Sequence, residues 1–326
     1  MIDLELVRML ADGRFHSGEQ LGETLGISRA AVWKRLQQLA EHGLDIERVR
    51  GRGYRLPGGL SLLDRDKLIQ HLGRHAQAVD VDLRVETGST NVDALYAARG
   101  GLSKPCAVLA EYQASGRGRR GRVWASPFAS SLYLSMAFDF ARGAAELEGL
   151  SLAVGVAVAE TAGRMGVPGV ALKWPNDLLA GERKLGGILI ELAGELDARC
   201  TAIVGVGING ALPPHVHIDQ PYTDILQETG QRPDRNAWAA ALLVALLEMA
   251  EEFRQHGFAA FAERWHKLDA FAGRAVTVFQ GNARIEGVAC GVSSRGALRV
   301  ETPEGISEFH GGEITLRATQ AAGRSA

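Results

Sequence analysis

Seven residues, Gly116-Arg117-Gly118-Arg119-Arg120-Gly121-Arg122, hold three glycines and four arginines, and no hydrophobic core can absorb them. They follow an apolar run, 107–112, that reads as a strand, and they precede Trp124 and a second apolar run, 132–138. The chain must leave one strand, cross the surface as a loop and re-enter the core. Glycine lets the backbone approach a ligand closely, and guanidinium matches phosphate and carboxylate oxygens. A loop so built is suited to fold over a small anion and shield it from water. The alternative is a solvated basic loop that touches nucleic acid.

Composition narrows the setting. A net charge of −2 over 326 residues excludes a uniformly basic nucleic-acid coat, so any such contact is local. This length predicts two or three domains. The amino terminus, Met-Ile-Asp-Leu-Glu, has no positive leader, and no apolar stretch is long enough to span a membrane. Cys106, Cys200 and Cys290 make neither metal nor disulfide spacing. A cytoplasmic protein is expected.

The first sixty residues read as a separate unit. Leu4, Leu6, Val7 and Leu10 recur at helical spacing. Ser17 and Gln20 fit a capping box, Leu21 and Leu25 an inner face, and Gly26 a helix stop. Ser28 can cap the next helix, with Val32, Leu36 and Leu39 inward and Arg29, Trp33, Lys34, Gln37 and Gln38 outward. That is a helix-turn-helix with side chains suited to bases and phosphates. Residues 46–56 then read as a β-hairpin bearing Arg48, Arg50, Arg52 and Arg55, the wing of a winged helix. From Ser28 to Arg55 there are seven Lys/Arg against three Asp/Glu, a local +4. A helical packing module with solvated charges is the bland alternative. Pro57-Gly58-Gly59 is expected to be a linker.

Residues 81–210 alternate strand-like and helical runs: strands at 81–85, 107–112, 132–138, 170–174, 188–192 and 202–208, helices at 92–98 and 147–164. The mixture predicts an α+β domain whose sheet is covered by helices on one face. Four polar insertions interrupt it. Ser89-Thr90-Asn91 stands where a strand gives way to a helix, and can cap that helix or bind a ligand. Gln113 leads into the Gly/Arg loop. Lys173-Trp174-Pro175-Asn176-Asp177 ends a strand, where a plain turn is the alternative. Lys184-Leu185-Gly186-Gly187 sets a cation and glycines before another strand. Beyond a helix near 238–255, short strands at 276–279, 284–290, 298–301 and 306–310 predict a small SH3-like barrel.

Together these segments resemble the biotin protein ligases, and closely the bifunctional bacterial type that also represses the biotin operon. The resemblance is carried by STN at 89–91, EYQASGRGRRGRVW at 111–124, KWPND at 173–177, KLGGIL at 184–189 and GVGIN at 205–209. HSGEQLGETLGISRAAV at 16–32 is similar to the family's operator-binding region, and GGEITLR at 311–317 to its carboxyl-terminal domain. One departure is visible: the resemblance leads one to expect alanine in the pair occupied by Gly186-Gly187, a change that should alter loop freedom more than chemistry.

The resemblance implies a winged helix-turn-helix at 1–60, a class II synthetase-like ligase domain with a mixed sheet at 61–269 and an SH3-like domain at 270–326. It implies ATP-dependent biotinylation of a lysine on the biotin carboxyl carrier protein of acetyl-CoA carboxylase, through biotinyl-5′-AMP, with Mg²⁺. That adenylate would also act as corepressor, favouring a homodimer on operator DNA. Ser89, Thr90, Asn91, Gln113, Arg117, Gly118, Arg119 and Lys184 are implied to bind biotin. Arg119, Arg120, Arg122, Trp124, Asn176 and Asn209 are implied at the adenylate or ATP. Lys184, Arg119, Lys173 and Asp177 would carry the chemistry, with Asp177 also a candidate for the metal. Ser28, Arg29, Trp33, Lys34, Arg48, Arg50 and Arg52 would face DNA. Two other readings stay open: a transcription factor that only senses a small molecule, and a lipoate-type acyl ligase or transferase.

Overall fold

The computed structural model describes residues 2–140, 143, 147–194, 200–280, 283–310 and 314–318. Three short helices open the chain: α1 (Leu4–Leu10), α2 (Gly18–Leu25) and α3 (Arg29–Glu41). Their ends form as local chemistry dictates. Ser17 and Gln20 make a reciprocal capping box, Gly26 closes α2 at φ 64, and the Ser28 hydroxyl accepts the Ala31 N–H at 3.2 Å. Leu21, Val32, Leu36 and Leu39 are buried between the helices, and Leu25 is half-buried. The antiparallel hairpin β1 (Glu47–Val49) and β2 (Gly53–Arg55) follows as the wing.

Pro57-Gly58-Gly59, where a linker is expected, forms a hydrogen-bonded turn. Gly59 N–H donates to Leu56 O at 3.0 Å and Leu60 N–H to Ala11 O at 2.9 Å, so the turn is fastened to the unit it leaves. Helix α4 (Arg65–Leu72) then leads into a seven-stranded sheet, which also carries the helix α5 (Thr90–Ala98). Its strands are β3 (Asp80–Thr87), β4 (Cys106–Gln113), β5 (Ser131–Phe140), β6 (Val170–Lys173), β7 (Asp177–Ala180), β8 (Arg183–Gly194) and β9 (Cys200–Asn209). Their order is β3-β4-β5-β9-β8-β7-β6, parallel only between β3 and β4.

One face of this sheet is covered by α4, by α6 (Leu150–Arg164) and by α8 (Arg235–His256) and α9 (Ala259–Leu268), with the short α7 (Ile225–Thr229) before them. Helix α6 is nearly all small or β-branched and nearly all buried. At Gly155 an added Cβ would already meet Leu172 at 3.3 Å. The expectation of helices on one face is corrected by α5, whose Ala94 and Ala98 pack on Val108, Ala137 and Ile203 of the opposite face. Because side chains alternate along a strand, the same face presents Ser135, paired in register with Gly205.

The carboxyl-terminal strands β10 (Ala275–Gln280), β11 (Ala283–Val292), β12 (Leu298–Thr302), β13 (Gly305–Phe309) and β14 (Ile314–Ala318) form an antiparallel sheet of order β13-β12-β11-β10-β14. The fifth strand thus returns beside the first, the order of a small SH3-like barrel. Gly311, Gly312 and Glu313 of the GGEITLR stretch lie outside the described residues. Val276, Val278, Leu298 and Val300 join the apolar cluster of the central sheet. Among the described residues no helix is long and apolar enough to cross a membrane.

Candidate functional site

On the α5 side of the sheet a cavity of about 1180 Å³ opens among β4, β5, β8 and β9. All fifteen residues expected at the small molecules line it, from Ser89 through the Gly/Arg loop to Lys173, Asn176, Asp177, Lys184 and Asn209. The Gly/Arg loop is a small hairpin: Trp124 N–H donates to Gly116 O at 2.9 Å and Gly118 N–H to Arg122 O at 2.8 Å. Arg120 turns its tip at φ 58, and Arg117, Arg120 and Arg122 are exposed on the rim. Arg119 is half-buried and its Nη1 donates to Asn176 Oδ1 at 3.3 Å, tying flap to turn. Burial, then the neighbouring Arg120, lowers its pKa.

The flap's stem rests on glycine. Trp124 lies against β8 and β9 where Gly187 and Gly207 pair. A Cβ on Gly207 would come within 2.6 Å of the indole, and one on Gly187 within 3.2 Å. The Trp124 indole nitrogen is buried and has no hydrogen-bond partner among the described residues. Gly186 and Gly187 are therefore strand residues, not a loop, and room rather than loop freedom is what they supply. An alanine at 186 would press its Cβ to 2.7 Å from Gly207 O.

Opposite the flap, β7 and β8 place the charged pair. Leu178 pairs with Gly186 but Leu179 with Lys184, so Leu185 is an extra residue and its bulge re-aims the lysine. Lys184 Nζ reaches Asp177 Oδ1 at 2.7 Å and stands 5.6 Å from the Trp124 ring centre. Of the three ammonium protons, one serves Asp177. Asn176 Nδ2 donates to Ile188 O at 2.9 Å, which fixes its Oδ1 toward Arg119. Lys173, at the end of β6, stands 5.6 Å from the Phe271 ring centre. Asn209, which lines the cavity, donates through Nδ2 to Thr223 O at 2.9 Å and to Lys184 O at 3.3 Å, bracing the lysine's backbone. Among the described residues no three His, Cys, Asp or Glu gather as a metal cage.

The inner end is polar and buried. Ser89 holds the capping position of α5 but its hydroxyl caps nothing; instead Thr90 N–H donates to Gln113 Oε1 at 2.9 Å. Capping is thus not what the triplet does. Gln113 Nε2 donates to Ser126 Oγ at 3.1 Å, and Ser126 Oγ to Trp124 O at 3.0 Å. Ser135 Oγ sits 2.7 Å from Thr90 Oγ1 and 2.6 Å from Asn91 Oδ1. Sequence reasoning missed Ser135, a small hydroxyl between Leu134 and Met136 in a mostly apolar strand, which was the available signal. It also missed the 217–222 segment that lines the cavity, where Lys184 N–H donates to Pro221 O at 3.0 Å.

The residues expected at DNA lie apart from this cavity. Ser28, Arg29, Lys34, Arg48, Arg50 and Arg52 are all exposed, and Trp33 is 45 % exposed. Arg52 stacks 4.1 Å above the Phe15 ring.

Comparison with known proteins agrees with this layout. The biotin/lipoate A/B protein ligase family matches residues 89–209, an HTH domain residues 4–55, and the biotin protein ligase C terminal domain residues 271–317. The chain is 41 % identical to the bifunctional ligase/repressor BirA of Escherichia coli over 98 % of each chain. It is 30 % identical to that of Bacillus subtilis over 94 % of this chain and 95 % of the other. The solved biotin protein ligase from Aquifex aeolicus in complex with biotin and ATP superposes with a TM-score of 0.65 at 29 % identity, covering 74 % of this chain and 99 % of that one.

Proposed function

Since the chain belongs to the biotin protein ligase family, in its bifunctional ligase/repressor branch, we propose that the central cavity makes biotinyl-5′-AMP under the Arg119 flap. The ligase passes biotin to a lysine of a carboxyl carrier protein, and the winged helix reads operator DNA.

A carboxylate is a poor electrophile, so one of its oxygens must become part of a leaving group. A biotin carboxylate oxygen attacks the α-phosphorus of ATP and diphosphate leaves; the carrier amine then attacks the acyl carbon, AMP leaves and the amine gives up a proton. Two anions must first meet in a partly dry cavity, where their repulsion grows. Lys184, with two ammonium protons beyond its Asp177 bond, and Arg119, tied to Asn176, bracket the meeting point. Lys173, Arg117, Arg120 and Arg122 add positive charge, and Trp124 on its glycine floor locks the flap stem. Ser89, Thr90, Asn91, Gln113 and Gly118 take the biotin side. Asp177 takes the acceptor-lysine contact. Mg²⁺ fits as a companion of the triphosphate, since magnesium takes one or two carboxylates plus phosphate oxygens and Asp177 supplies one carboxylate.

The observation that carries this reading is that the Lys184–Asp177 and Arg119–Asn176 pairs line one cavity, joined through the adjacent Asn176 and Asp177. Purified protein, ATP and Mg²⁺ are mixed with biotin, octanoate or lipoate and a carrier; diphosphate release and mass gain on the carrier lysine are followed. Biotin alone should react. Reaction with octanoate or lipoate instead would support an acyl ligase, and no diphosphate release would leave only a sensor.

Within the same reading the adenylate orders the loops around the cavity and favours a homodimer whose paired winged helices bind the operator. Such control requires different affinities in the two states. Operator titrated with and without biotin and ATP should bind more tightly with them; equal affinity would remove the switch and leave the enzyme. The units 1–60, 61–269 and 270–326 belong to this proposal, supported by the Pro57-Gly58-Gly59 turn and by the end of α9 at Leu268.

A further inference from the structure

We infer that Glu191, outside the cavity wall, sets the hydrogen-bond polarity of the cavity's inner end, making it accept N–H donors and so select a cyclic urea. The inference rests on the biotin reading above. Glu191 lies on β8, paired in register with Ile203 of β9 on the face that carries α5. Its Oε2 accepts from Asn91 Nδ2 at 2.7 Å, and Leu189 O stands 3.4 Å from the same nitrogen. An ionised carboxylate cannot donate. The Asn91 amide therefore has one orientation, nitrogen toward Glu191 and Oδ1 toward Ser135. It lies flat on β9 because residue 205 is glycine; a Cβ there would stand 2.2 Å from Asn91 Oδ1.

Proton counting then fixes what the wall can offer. Asn91 Oδ1 has no proton, so the Ser135 hydroxyl must supply one across their 2.6 Å contact. Ser135 Oγ is also 2.7 Å from Thr90 Oγ1, which is 3.1 Å from Gln113 Oε1. Three oxygen–oxygen contacts thus share two hydroxyl protons. With Ser135 committed to Asn91, Thr90 can serve Ser135 or Gln113 but not both, and lone pairs are left uncovered at the wall. Thr90, Gln113 and Ser135 all line the cavity. A ligand N–H relieves that deficit, and the ureido ring of biotin carries two.

With Asn91 flipped, the opposite order arises. Its amide nitrogen would donate to Ser135, Ser135 to Thr90 and Thr90 to Gln113, and every contact would be covered from within. Fewer lone pairs would then be free for a urea's N–H groups. Glu191 forbids this flip, because Asn91 Oδ1 would then face a carboxylate oxygen. It is a positioning residue, acting through Asn91 and Ser135.

Glu191→Gln tests the assignment. A glutamine can face Asn91 with nitrogen or oxygen, so it permits both orders while filling the same volume. KM for biotin should rise about tenfold, the worth of one hydrogen bond, while kcat, KM for ATP and Tm hold. In a Ser135→Ala background the same change should add no penalty, because the hydroxyl that relays it is missing. An unchanged KM for biotin, a fall in kcat at constant KM, or an undiminished penalty in the Ser135→Ala background would overturn the assignment. The unsubstituted protein is assayed alongside: failure to form biotinyl-5′-AMP there sinks the parent reading, and this one with it, before any variant is compared.

Discussion

Arg235 at the start of α8 and Glu111 near the end of β4 form an ion pair with both residues almost fully withdrawn from water, 2 % and 4 % exposed. The pair also holds the chain that leaves the winged helix. Arg235 Nη1 donates to Ser61 O at 3.0 Å and its Nε to Ser131 O at 2.9 Å, while Glu111 Oε1 accepts the Leu63 N–H at 2.6 Å. Asn236 continues the strap, donating to Leu62 O at 2.9 Å. Glu111→Ala would leave a buried cation uncompensated, a loss of about 3–5 kcal/mol. The expected outcome is a lower Tm and new proteolytic cleavage within residues 57–64; unchanged protease resistance would contradict it.

Arg119→Gly removes the bond from flap to Asn176 and the guanidinium proposed to cover the adenylate. Adenylation should persist, because Lys184 and Asp177 are untouched. The adenylate should leave faster, by about tenfold to a hundredfold for one charge-assisted hydrogen bond. Rapid-mixing release of labelled biotinyl-5′-AMP measures this, and an unaltered rate would remove the flap from retention.

Gly207→Ala and Gly187→Ala make a graded pair. The first forces a Cβ to 2.6 Å from the Trp124 indole and the second to 3.2 Å. The flap stem must shift more for the first, so KM for biotin should rise further in Gly207→Ala than in Gly187→Ala. Equal values would show that Trp124 does not rest on this floor during turnover.

Asp269, just after α9, has a pKa raised by burial, and its Oδ2 has no hydrogen-bond partner among the described residues. An acid whose pKa is raised in the folded state adds stability below its ordinary value of 3.8 and loses it as pH climbs through the folded pKa. Ionised Asp269 therefore weakens the fold at neutral pH. Asp269→Asn keeps the oxygen that accepts the Phe271 N–H at 2.9 Å and removes the charge. Its Tm should exceed that of the unsubstituted protein at pH 7, with the difference shrinking as pH falls toward 3.8. A constant difference would assign it to something other than titration.

The features legible in the sequence are those written in neighbouring residues. The capping box of Ser17 and Gln20, the Ser28 cap, the Gly26 stop and the wing depend on contacts a few residues long, and all stand where the pattern put them. The Gly/Arg loop was legible because no hydrophobic core can absorb its composition. What escaped depends on register between distant strands. The Asn91–Glu191 bond spans 100 positions, and Ser135 meets Asn91 only because β5 pairs with β9 one way and not the other. The β7 strand and the Leu185 bulge hid inside motifs read as turn and loop. Placing α5 on the second face required knowing which residues of β4, β5 and β9 point there.

Phe128, four residues beyond Trp124 and 1 % exposed, belongs to the apolar cluster of Leu6, Leu21, Leu36 and Leu56, not to that of the ligase sheet. Exchanging it for alanine would open a void worth about 3–5 kcal/mol. Severing the first sixty residues does more, since it strands a phenyl ring in solvent beside the root of the Gly/Arg loop. The winged helix and the segment after the Gly/Arg loop thus share one apolar core at Phe128.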